Sequence, residues 1–144
     1  MIKNLLENIE TCSEQLHQCL RDEHDALCNN QYEVIMTLAE QKQSLVSRLD
    51  ELDQQRLKLS EDMEFAQFLT HSQPSLSNTW DRLREKILHC QHQNEVNGRL
   101  LNRRNQMARE MINIFTGRGI ADETTYGPSG KTSFSGPNLT KTQV

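Results

Sequence analysis

The sequence predicts an all-α protein: an antiparallel bundle of three long helices, with a short extra helix near residues 61–70 as one option, and a flexible C-terminal tail. Three observations carry this. Apolar residues recur at alternating steps of three and four over most of the chain, the period of a helix face rather than of a strand. Aromatic residues make up 5% and β-branched runs are scarce, which disfavours sheets. Hydrophobic residues reach only 35% and mean hydropathy is -0.75. Long helices joined through narrow stripes hold together on so little, whereas a sandwich does not.

The first helix is written in Ile2, Leu5, Ile9, Cys12, Leu16, Cys19, Glu23 and Ala26, with Leu6, Leu20 and Leu27 widening the stripe. It spans 2–27, about 40 Å. Asn29 and Asn30 interrupt it, and Asn30 is expected to cap the next helix. There the stripe is Ile35, Leu38, Lys42, Leu45, Leu49, Leu52, Arg56 and Leu59, with Lys42 and Arg56 expected to snorkel outward. Beyond Leu59 two readings stand. The series continues through Met63 and Ala66, or Ser60 caps a separate short helix with Glu61 and Asp62 in its first turn.

Residues 70–79 have turn and cap chemistry around Pro74. The third long stripe is Trp80, Leu83, Ile87, Cys90, Asn94, Asn97, Leu101, Ala108, Met111, Ile112 and Phe115, ended by Gly117 and Gly119. Short connections between long helices imply antiparallel neighbours, so 2–27 and 35–59 should pack on 80–115. Five of the six glycines fall in 117–136, beside Pro128, Pro137 and many Ser and Thr. The chain therefore divides into a helical domain, 1–117, and a tail, 118–144, of the composition that orders on a partner.

Function classes fall away in turn. The net charge of -4 and pI near 5.7 disfavour nucleic acid as a partner, and Arg99, Arg103, Arg104 and Arg109 read as a solvated face. No apolar run reaches membrane-spanning length and the N-terminus lacks a signal-peptide pattern, so a cytoplasmic protein with reduced thiols is expected. His24 with Cys28, and His89 with Cys90 and His92, lie close in sequence. A structural zinc site needs four converging ligands, and Cys12, Cys19 and Cys90 fall instead at stripe positions suited to small apolar residues. Carboxylates are plentiful but read as outer-face groups, and phosphate loops, nucleophile elbows and dinucleotide fingerprints are absent. The expectation is no catalytic residue, no metal and no cofactor.

Two stretches stand out. Asn94, Asn97 and Gly98 place polar or helix-weakening residues where the stripe calls for apolar ones, at about 1 kcal/mol for the glycine. A polar layer that sets register, with Gly98 admitting a close neighbour, outweighs a partner site here. Near the end of the third stripe, Met107, Met111 and Ile114 add a second apolar edge beside Ala108, Ile112 and Phe115. That edge either covers the N-terminal helix or binds another protein, for which methionine-rich helices are suited. Ile120, Tyr126, Phe134 and Leu139 are isolated apolar anchors in the tail.

With Leu38, Lys42 and Leu45 on the second helix, Trp80 and the Asn94-x2-Asn97-Gly98-x2-Leu101 run on the third, and Thr125-Tyr126-Gly127-Pro128-Ser129-Gly130 in the tail, the chain resembles the FlgN family of flagellar export chaperones over nearly all of residues 1–130. The resemblance implies a cytoplasmic helical chaperone. Its clients would be the hook-filament junction proteins FlgK and FlgL, protected before type III export and brought to the export gate. It implies client binding at Met107, Met111, Ile114, Phe115 and Ile120, and export-gate docking at Tyr126. An oligomerisation module or a protein sequestering a different client stays open as the alternative, and the oligomeric state is left open.

Overall fold

The computed structural model describes residues 1–61 and 63–117. Four α-helices follow one another: α1 (Ile2–Cys28), α2 (Tyr32–Ser60), α3 (Phe65–Ser72) and α4 (Ser77–Thr116), with a 3-10 turn at Pro74–Leu76. No strand occurs among the described residues. α1 packs along both α2 and α4, and α3 bridges α2 and α4. Cys12 Sγ meets the Leu45 carbonyl while Cys19 Sγ meets that of Leu38, so α2 runs antiparallel to α1. α4 ascends beside α1, with Cys90 on the Ser13 carbonyl and Asn97 on that of Leu20. The topology is up, down, up.

The main core gathers Leu5, Leu6, Ile9, Cys12, Leu16 and Leu20 of α1 with Leu49 and Leu52, Phe65 and Leu69, and Trp80, Leu83, Ile87 and Cys90. A smaller cluster of Cys19, Ala26 and Leu38 lies toward the α1–α2 turn. Every predicted stripe residue of α1 from Leu5 to Ala26 is buried.

The turn between α1 and α2 corrects the expected cap. Asn30 adopts φ 57, a left-handed conformation that asparagine tolerates, and the Gln31 amide reaches back to the Ala26 carbonyl at 3.0 Å. That is the Schellman closure of α1, so Asn30 ends one helix and Gln31 stands at the start of the next. Of the two readings of the segment after Leu59, the separate short helix is the one that forms, but Ser60 does not cap it. α2 stops at Ser60, whose hydroxyl turns back to the carbonyls of Arg56 and Leu57, and α3 starts at Phe65 behind Glu64. The stretch 70–79 is more helical than its composition suggests, shared between the end of α3, the 3-10 turn and the first turn of α4.

Lys42 and Arg56 do not snorkel; both are buried. Arg56 Nε donates to Asp53 Oδ1 at 2.7 Å, and its guanidinium lies 5.4 Å from the Phe65 ring centre and 5.3 Å from that of Trp80. Those two rings meet edge-on at 4.7 Å. The side chain thus exchanges water for a carboxylate and two aromatic rings, a cation–π arrangement that also fastens α3 to α2 and α4.

Candidate functional site

Beyond Cys90 the α4 residues facing α1 become polar, and what they meet is polar as well. Lys42 Nζ lies 2.9 Å from Glu23 Oε2 and donates to Glu23 Oε1 and Asn94 Oδ1, both at 3.1 Å. Asn97 Nδ2 donates to the Leu20 carbonyl and to Glu23 Oε1, each at 2.9 Å. One layer therefore joins all three long helices through buried polar groups that satisfy one another, as burial requires. Glu23 is buried, as its place in the α1 stripe implies, whereas Asp53 is a buried carboxylate where sequence reasoning expected an outer-face group. Gly98 follows this layer but does not admit a close neighbour: a Cβ built there meets nothing within 4 Å.

The layer reaches solvent on one side. His24 Nδ1 sits 3.1 Å from Asn97 Oδ1, and His24 Nε2 lies 3.7 Å from the exposed Cys28 Sγ. Cys12, Cys19 and Cys90 are buried and unpaired by disulfides. Burial pushes the Cys19 and Cys90 thiols up to about 11, with the nearby Glu23 carboxylate adding to the rise at Cys19. Among the described residues no group of three or more His, Cys, Asp or Glu converges as a metal site. No described helix is long and apolar enough to cross a membrane.

Past the layer, α4 leaves the body. Arg104 Nη1 donates to Asn30 Oδ1 at 2.5 Å, which ties α4 to the α1–α2 turn. Residues 105–116 continue beyond that tie for about 18 Å of helix. Met107, Met111, Ile112, Ile114 and Phe115 are 60%, 61%, 59%, 78% and 84% exposed. The expected packing of 80–115 on the first two helices thus ends near Asn97, and the apolar edge does not cover α1. Ala108 is exposed too, so both stripes of this helix end face solvent. Gly117, at φ 66, closes the helix in the left-handed region. Ile120 and Tyr126 lie outside the described residues.

Sequence reasoning missed part of this end of the molecule. Tyr32 and Met36 are 68% and 70% exposed on the first turns of α2, beside the same α1–α2 turn. Their four-residue spacing on a face separate from the Ile35, Leu38 and Leu45 stripe was the available signal.

Fold and site together define an all-α, up-down-up protein that displays an uncovered apolar helix end. The model of a family described as FlgN protein matches residues 1–133. The chain belongs to the FlgN family. It is similar to the flagella synthesis protein FlgN of Salmonella typhimurium (strain LT2), 31% identical over 104 residues, and equally to that of Salmonella typhi. Each alignment covers 70% of this chain and 66% of the relative, so the chain spans just under two thirds of the length of the curated relatives it matches. No solved structure matches.

Proposed function

We propose that the protein is a cytoplasmic chaperone of flagellum assembly that holds the hook-filament junction proteins FlgK and FlgL and brings them to the type III export gate. One observation carries the reading: five large apolar side chains stand exposed on one helix end that the bundle itself does not use. Membership in the FlgN family, and the flagella synthesis named for its relatives, supply the context. An amphipathic helix of a client, laid against 107–115, would bury this surface on both partners. Each such side chain fully buried contributes roughly 1.5–3 kcal/mol, so two or three anchors support micromolar binding after ordering costs. Ile120 extends the client surface in this reading, and Tyr126 serves the export gate from the segment 118–144.

The test is the double substitution Met111→Ser with Ile114→Ser. Because both side chains are mostly exposed, the helical spectrum and melting temperature should stay as they were. Calorimetric affinity for FlgK and FlgL should fall at least tenfold. Unchanged affinity would move the client surface elsewhere, with Tyr32 and Met36 the next residues to substitute. Deleting 118–144 should leave the helical body folded and reduce export.

A further inference from the structure

Asn97, His24 and Cys28 form a chain of three side chains from two helices, and its hydrogen bonds fix where its protons lie. The Asn97 amide nitrogen faces two groups that can only accept, the Leu20 carbonyl and the Glu23 carboxylate, both at 2.9 Å. Its oxygen therefore points the other way, where Gln93 Nε2 donates to it at 2.9 Å and His24 Nδ1 lies at 3.1 Å. An amide oxygen offers no proton, so the neutral imidazole carries its proton on Nδ1. Nε2 is left with a lone pair, 3.7 Å from Cys28 Sγ. Asn97 is only 1% exposed, so the amide that orients the ring is held inside the bundle while the thiol is open to solvent. The charge bonded to this chain is Glu23, neutralised by Lys42, while Arg104 is bonded to Asn30 in the adjoining turn.

We propose that Cys28 is a modification site that exchanges with low-molecular-mass disulfides such as oxidised glutathione, with His24 as its proton acceptor and Asn97 as the positioning residue. The imidazole Nε2 takes the thiol proton, and the Cys28 sulfur attacks one sulfur of the disulfide. A new S–S bond forms to Cys28 as the original S–S bond breaks, and the departing thiolate leaves with the electron pair. The imidazolium then returns the proton to that thiolate, so no other oxidant or reductant is consumed. The other three thiols are buried, and two are pushed up to about 11, so the reaction is selective.

The test uses the full reduced chain with oxidised glutathione and, separately, a chromogenic aromatic disulfide, in chelator-treated buffer. One equivalent should react ahead of the rest, and peptide mass mapping should place the adduct on Cys28. At pH 6.5 His24→Gln should slow this step at least threefold. Near pH 10, where an ordinary thiol ionises without a base, the two chains should react alike, which a merely structural role of His24 would not produce. A comparison free of any folding effect of the variant sets the native chain against the same chain unfolded in urea at pH 6.5. Cys28 should react at least threefold faster in the native state. Equal native and unfolded rates, equal rates for the two chains at pH 6.5, or first modification at another cysteine would each overturn the proposal.

Discussion

Lys42→Met tests whether the polar layer holds the three helices together. The Lys42 and Glu23 side chains are 9% and 7% exposed and meet at 2.9 Å, so both charges have given up water for each other. Removing the ammonium leaves the Glu23 carboxylate inside the bundle with the Asn97 amide, and takes a donor from Asn94. Breaking one partner of such a pair costs about 3–5 kcal/mol, because the surviving charge stays desolvated. Removing both charges, as Glu23→Leu with Lys42→Met, abolishes that penalty. What remains is the lost bonding to Asn94 and Asn97, about 1 kcal/mol each. Urea unfolding followed by circular dichroism reads both. With m near 1.5 kcal/mol/M, the single variant should lower the midpoint by about 2–3 M, and the double variant by about half of that. A loss under about 1 kcal/mol for Lys42→Met, or a double variant no more stable than the single, would refute the view that a desolvated charge pair dominates this layer.

Other expectations concern the remainder of the body. Gly98→Ala should stabilise by about 0.5–1 kcal/mol and raise the melting temperature by a few degrees, since the new methyl meets nothing within 4 Å and helix entropy improves. A decrease in thermal melts would mean that the backbone at Gly98 needs freedom. Phe65→Ala should cost about 3–5 kcal/mol, because it empties a core position and removes a ring from both Arg56 and Trp80. A loss under about 1 kcal/mol would show α3 to be dispensable. Alkaline stability follows from the buried thiols: the folded chain holds the Cys19 and Cys90 protons to about 11, against 9.0 ordinarily. The unfolded chain then binds fewer protons above about pH 9, so the contribution of these thiols is constant below that point and stability falls as pH rises toward 11. Melting curves should show this decline, and it should be smaller in Cys90→Ala.

The helical fold was legible because a stripe needs only its period, and α1 keeps that period from Leu5 to Ala26 without a break. Partner choice was harder. Glu23, Lys42 and Asn94 each stand at a polar position of a different stripe, and read singly they give a plain stripe position, a snorkelling lysine and a register-setting amide. Read jointly, an acid, a base and an amide at polar gaps in three stripes are a complementary set, and they meet in one layer. Arg56 was expected to snorkel because the rings that accept it, Phe65 and Trp80, lie on other helices. The surplus of apolar residues from Met107 to Phe115 was visible, but periodicity alone does not say where a partner helix stops. That boundary depends on helix lengths, 27 residues for α1 against 40 for α4.

The unequal lengths of the helices bear on how such a protein changes over time. Residues 105–116 lie past the Arg104–Asn30 tie and place no large apolar side chain in the body, so replacing one of them leaves folding nearly unaffected. Mutations in most binding sites are filtered twice, once for the contact and once for the stability of the scaffold. Here the second filter is nearly absent. The helix end is free to track drift in whatever it binds, while the layer of Glu23, Lys42, Asn94 and Asn97, with every member dependent on another, is held to its present composition.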